Sequence, residues 1–126
     1  MIMITGGAFQ GKREYVRQRF RLSDSDFLDC GKCSLTKLKN ARCVCNYELA
    51  VKRMLAVGID PISAANELRA NIVIMSEIGC GIIPLDKSER EWREMTGRAG
   101  CIIAERASEV VRLCCGIPKI IKGEKR

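Results

Sequence analysis

The segment Gly6-Gly7-Ala8-Phe9-Gln10-Gly11-Lys12-Arg13 holds a glycine, four further residues and then a Gly-Lys pair. That spacing is the phosphate-cradling loop of nucleotide-binding proteins. Backbone N–H groups wrap the β-phosphate, aided by the positive end of the helix that follows, and the lysine neutralises β- and γ-phosphate oxygens. The pattern asks next for Ser or Thr, whose hydroxyl ligates Mg²⁺. Arg13 stands there instead, and a guanidinium cannot bind a cation. Three outcomes stay open: the metal is held by outer carboxylates and water, Arg13 contacts phosphate itself, or catalysis is lost. The plainer alternative is a glycine-rich turn with a solvated lysine.

Two acids stand where such a loop can use them. Asp29 ends the short apolar pair Phe27-Leu28, where it can hold a metal-bound water or orient a nucleophile; a turn or helix-cap aspartate is the competing reading. Glu77 follows the apolar run NIVIM (71 to 75) and Ser76, which suits a metal or substrate contact. The cysteines invite a zinc reading through Cys30-Gly31-Lys32-Cys33 and Cys43-Val44-Cys45. A helix expected from about Cys43 to Ala56 would turn positions 43 and 45 to different sides, which favours ordinary thiols. Cys80, Cys101, Cys114 and Cys115 read as core or loop residues. The chain has no histidine. Ser-His and Cys-His couples, imidazole metal ligands and histidine-linked covalent intermediates are therefore excluded.

These residues need elements to position them. Residues 1 to 5 read as a buried strand stopped by Gly6-Gly7, and Lys12 to about Arg21 as a helix. A short strand is expected at 27 to 29, and a capped helix from Asp60-Pro61 onward. NIVIM reads as a central strand of a parallel sheet, since it is apolar on both faces. A long helix should fill roughly Lys87 to Ala107, with Gly97 and Gly100 as points where it can break. EVVRLCCG (109 to 116) is a further strand, with IPKIIKG (117 to 123) returning beside it as an edge hairpin. Alternating strands and helices predict one α/β domain over residues 1 to 126, a P-loop NTPase-like three-layer fold with a small, mostly parallel sheet. Ligands bind such sheets at the carboxyl ends of the strands, where the glycine loop, Asp29 and the 76 to 81 loop converge.

Composition sets the outer limits. The 126 residues carry 22 Lys and Arg against 15 Asp and Glu, a net charge of +7, which favours anionic partners. The positive charge is spread over 12 to 21, 32 to 42 and the terminal KGEKR, unlike a nucleic-acid groove, and aromatics are only 5%. No apolar stretch reaches the length of a membrane span, and MIMITGG lacks the pattern of a secretory leader. The expectation is a cytoplasmic chain whose eight cysteines are thiols.

Taken together, the motifs resemble the bifunctional adenosylcobinamide kinase / adenosylcobinamide-phosphate guanylyltransferase family of cobalamin biosynthesis. TGGAFQGKR resembles that family's TGGARSGKS-like loop, and Asp29-Cys30 its aspartate-cysteine pair after a strand. MSEIGCGIIP (75 to 84) resembles its SNEVGLGIVP, Gly97-Arg98 its helical GR, and GIPKIIKG (116 to 123) its closing GLPxxLKG. The resemblance implies a P-loop α/β fold binding ATP or GTP with Mg²⁺. It implies loop residues 6 to 13 and Arg98 as nucleotide-binding positions, Lys12, Glu77 and Asp29 as catalytic ones, and Glu77 and Asp29 near the metal. The implied reaction is phosphoryl transfer to a cobinamide-type hydroxyl. The family's guanylyl transfer passes through a nucleotide-histidine intermediate, which a chain without histidine lacks. The region between the first helix and the Asp-Cys strand looks deleted, and the family's Asn-Gln after GR looks replaced by Gly100-Cys101. A non-catalytic nucleotide-binding or interaction module is the alternative, and a zinc-thiolate domain a third reading. With part of the usual sheet missing, a homo-oligomer covering an exposed edge is expected.

Overall fold

The computed structural model describes residues 1–8, 10–78 and 86–123. The chain runs β1 (Ile2–Gly6), α1 (Lys12–Phe20), β2 (Phe27–Asp29), β3 (Cys43–Cys45), α2 (Tyr47–Val57), α3 (Pro61–Glu67), β4 (Ile72–Ile74), α4 (Lys87–Arg106), β5 (Glu109–Cys114) and β6 (Ile117–Lys122), with short 3₁₀ turns before β2 and β3. Its sheet has the order β2-β3-β4-β1-β5-β6, in which only β6 runs antiparallel to its neighbour. Residues 79–85, which include the second half of the MSEIGCGIIP segment and Cys80, lie outside the described residues.

Two cores follow from the pleat, because successive residues of a strand face opposite sides. Ile4, Cys43, Cys45, Ile72, Ile74 and Val111 pack with Val16 of α1 on one face. Met3, Val44, Val73 and Val110 pack with α2, α3 and α4 on the other, where Val51, Ala65 and Ile103 are fully buried. The result is three layers, one helix against three. β1 and β4 are buried on both faces, as the unbroken apolar runs predict, and are paired in register from Ile2↔Ile72 to Ile4↔Ile74. Asp60 caps α3 by accepting the Ile62 N–H, with Pro61 at the first helical position.

Two expectations are corrected. The helix expected from Cys43 begins instead at Tyr47, and Cys43–Cys45 form β3 between β2 and β4. Sheet burial on both sides outweighs local helical preference for three residues, and Asn46 then turns the chain in the left-handed region at φ 58°. Helix α4 runs unbroken through Gly97 and Gly100, as one 20-residue element. A Cβ at Gly100 would make ordinary contact with Met75, at 3.6 Å.

The sheet ends in β6, whose Ile117 and Ile121 are 70% and 58% exposed. Among the described residues no helix is long and apolar enough to cross a membrane.

Candidate functional site

The turn after β1 is built for close backbone approach. Gly6 has φ 143°, and a Cβ there would stand 2.5 Å from the Leu113 carbonyl oxygen, so only glycine fits. Gly11, at φ 85°, caps α1 without any side-chain hydrogen bond to the helix N-terminus. The first N–H groups of α1 therefore point into the turn with the positive end of the helix dipole behind them, the arrangement that binds phosphate. Gln10 anchors the loop to the β5–β6 turn. Its carbonyl accepts the Gly116 N–H at 3.0 Å, and its side-chain oxygen accepts the Cys115 N–H. Gly7, Ala8 and Gln10 belong to this loop; Phe9 lies outside the described residues.

Lys12 opens α1 but is 8% exposed, and its Nζ donates to the Gly7 carbonyl at 2.6 Å. Burial holds its ammonium below the ordinary lysine pKa, while the carboxylates of Glu48 and Glu77 act in the opposite direction. Glu48 was not among the sequence-level candidates. It sits in the first turn of α2, is 6% exposed, and accepts the Ser76 N–H at 2.8 Å; its backbone oxygen accepts the Trp92 indole N–H. The signal was present in NYELAVKRM: an acid on the helix face that buries Tyr47, Val51 and Met54. Starting the helix at Cys43 hid it, because Glu48 then fell in the helix interior rather than at its mouth.

A cleft of about 360 Å³ joins these parts, bounded by Ala8, Gln10, Lys12, Arg13, Asn46 and Glu48. Arg13 lines it with its guanidinium stacked 4.8 Å above the Phe27 ring and 3.9 Å from Asp24. Glu77 follows β4, its N–H donating to Gly6 O at 2.8 Å. Both of its carboxylate oxygens are held by Arg112, at 2.8 and 3.0 Å. Asp29 stands further out: its Oδ1 accepts the Gly31 N–H at 2.9 Å and the Asn46 amide at 3.2 Å. Burial works to raise the Asp29 carboxyl, but those two donors and the charges of Lys32 and Arg13 outweigh it and hold it below the ordinary value. Arg98 lies apart, exposed on α4, with its Nη1 3.9 Å from Met95 Sδ and its charge acting on Asp60 at the start of α3.

The structure thus gathers the loop, Lys12, Arg13 and Glu48, with Glu77 alongside, Asp29 one residue removed through Asn46, and Arg98 outside the group. The metal chemistry fits these residues poorly. Arg13 occupies the hydroxyl position, Arg112 takes both oxygens of Glu77, and among the described residues no three His, Cys, Asp or Glu side chains come together to hold an ion. The same holds for the zinc reading. Cys43 and Cys45 share the α1 face of β3, while Cys30 belongs to the opposite core.

A family model described as cobinamide kinase / cobinamide phosphate guanyltransferase matches residues 27–121, about three quarters of the chain. The loop at 6 to 13 precedes the matched stretch. No curated protein matches this chain.

Proposed function

The chain belongs to the cobinamide kinase / cobinamide phosphate guanyltransferase family, and from that premise we propose that it binds a purine nucleoside triphosphate, ATP or GTP, at the loop after β1 and transfers a phosphoryl group to a cobinamide-type hydroxyl. The observation that carries this reading is the seating of Lys12. It is a buried cation held over the N-terminus of an uncapped helix, where the loop carbonyl of Gly7 is its hydrogen-bond partner. Anionic oxygens of a phosphate chain are stronger acceptors than that carbonyl, and the helix N–H groups complete their shell.

In the proposed reaction the acceptor oxygen bonds the γ-phosphorus as the bond from that phosphorus to the β,γ-bridging oxygen breaks. The nucleoside diphosphate departs, and the hydroxyl proton passes to a carboxylate, a role for Glu77, whose N–H donates to Gly6 O in the loop, with Asp29 further out as the second candidate. Lys12 stabilises charge on the transferring group. Mg²⁺ carries no step in this scheme, because the described residues do not make a place for it. With no histidine in the chain, guanylyl transfer through a nucleotide-histidine intermediate is left out.

A second reading, a nucleotide-binding module without catalysis, is favoured by one observation. Arg112 binds both oxygens of Glu77 and so occupies the carboxylate that the transfer would use. Calorimetric titration with ATP and GTP, with and without Mg²⁺, tests the binding step. A phosphoryl-transfer assay on cobinamide then separates the two readings: phosphorylated product supports the kinase, and binding without product the module. The exposed Ile117 and Ile121 of β6 support the expected homo-oligomer, which sedimentation velocity tests.

A further inference from the structure

A second cleft opens on the opposite side of β4 from the phosphate loop. It encloses about 240 Å³ between the end of β4 and helix α4, and shares Ser76 with the first cleft. Its walls are chiefly apolar, with Met3, Met75, Ile78 and Ala104, and Glu77 lines it where it approaches the loop. Two features of α4 remain unexplained by folding alone. Thr96 lines this cleft at 3% exposure, and among the described residues its hydroxyl has no hydrogen-bond partner. A helical threonine ordinarily satisfies that hydroxyl on the carbonyl one turn back, and a buried hydroxyl left unpaired destabilises the fold. Gly97, beside it, weakens a helix interior without a packing reason, since among the described residues a Cβ at that position would meet nothing within 4 Å. At Gly100 a Cβ would make ordinary contact with Met75, at 3.6 Å.

We propose that this α4–β4 cleft seats the alcohol-bearing arm of the phosphoryl acceptor: a short, mainly aliphatic chain with a polar group that pairs with the Thr96 hydroxyl. The assignment rests on the kinase reading above. It places the acceptor on one face of the sheet and the phosphate chain on the other, meeting at Ser76 and Glu77. Glu77 acts electrostatically on Lys12, so an oxygen delivered to this mouth lies beside the group that Lys12 holds. The cleft has the volume of about eight waters, room for an arm and not for a whole macrocycle.

Two variants test it with cobinamide as the probe, titrated calorimetrically in the presence of saturating ATP or GTP. Gly97→Leu sends a side chain into open space, so the helix keeps or gains stability while the cleft fills. Thr96→Val removes an unpaired buried hydroxyl at nearly constant volume, so the free protein should melt no lower than the parent. The expected result is at least a tenfold loss of cobinamide affinity in Gly97→Leu, corresponding to about 1.4 kcal/mol, and a smaller loss in Thr96→Val. Nucleotide affinity should stay within about twofold of the parent in both. Cobinamide should also slow alkylation of Cys101, which lines the cleft and is exposed, in a Cys114→Ser/Cys115→Ser background. Parent-like cobinamide binding by Gly97→Leu overturns the cleft assignment and leaves the kinase reading standing. A parent chain that binds nucleotide but no cobinamide overturns both.

Discussion

The Glu48 carboxylate on the first turn of α2 accepts the Ser76 N–H beyond β4 at 2.8 Å. This bond ties the start of one helix to the end of the central strand and fixes a buried acid beside Lys12, where its charge opposes the effect of burial on the ammonium. The bond and the charge can be separated by substitution. Glu48→Gln keeps an acceptor for Ser76 and removes the charge, so nucleotide affinity should rise several-fold at low ionic strength as repulsion of phosphate falls. Glu48→Ala leaves the Ser76 N–H without its partner and should cost about 1–3 kcal/mol in urea unfolding. Equal stability losses in the two variants would contradict this division.

Lys12 links nucleotide binding to pH. Its folded pKa is lowered by burial, so the folded chain binds fewer protons than the unfolded chain between that lowered value and the ordinary lysine value. Unfolding then takes up a proton in that window, and stability rises with pH across it. A bound phosphate raises the Lys12 pKa, so binding at alkaline pH should consume protons. Calorimetry in buffers of different ionisation enthalpy should show that uptake in the parent and none in Lys12→Met, which should also bind nucleotide far more weakly.

Gly6 and Gly58 both have positive φ, yet their substitutions should differ. A Cβ on Gly6 collides with the Leu113 carbonyl, whereas one on Gly58 meets nothing within 4 Å among the described residues. Gly58→Ala should cost about 1 kcal/mol, the penalty of the left-handed conformation alone. Gly6→Ala should cost several times more, because backbone must move where β1 joins β5. Denaturant midpoints measured on the same day would decide it.

Thiol reactivity should split by layer. Burial pushes Cys43 up to about 12 and raises Cys30 and Cys45 as well, so these thiols lack both access and thiolate. Cys101, Cys114 and Cys115 are exposed. A disulfide reagent at neutral pH should label those three quickly and Cys30, Cys43 and Cys45 only on unfolding. Fast labelling of Cys43 in the native chain would refute the β3 burial described above.

The Arg19–Glu109 pair, 2.6 Å apart with side chains 19% and 10% exposed, joins α1 to β5. Arg19→Met should destabilise by about 3 kcal/mol by leaving a buried carboxylate without its partner, and Glu109→Gln in the same chain should recover part of it. Thermal melts of the two single variants and the double variant give the coupling.

The sequence by itself determined the sheet's centre and the loop. MIMI and IVIM are apolar at every position, which burial on both faces accommodates, and a glycine turn between strand and helix admits few conformations. Asp60-Pro61 and the EVVRLCC/IPKIIK pair announced their elements through local chemistry alone. The tertiary structure decided what depends on neighbours distant in the chain. Cys43–Cys45 became a strand because β2 and β4 lie on either side of it, and no local signal carries that. Glu48 reached Lys12 because α2 ends up over the mouth of β4, across 28 residues from Ser76. Glu77 met Arg112, and Arg98 was carried away from the loop, because α4 turns that part of its surface toward α3. Local residue types set which elements form, but the charge environment of a site arises from groups brought together only when the sheet closes.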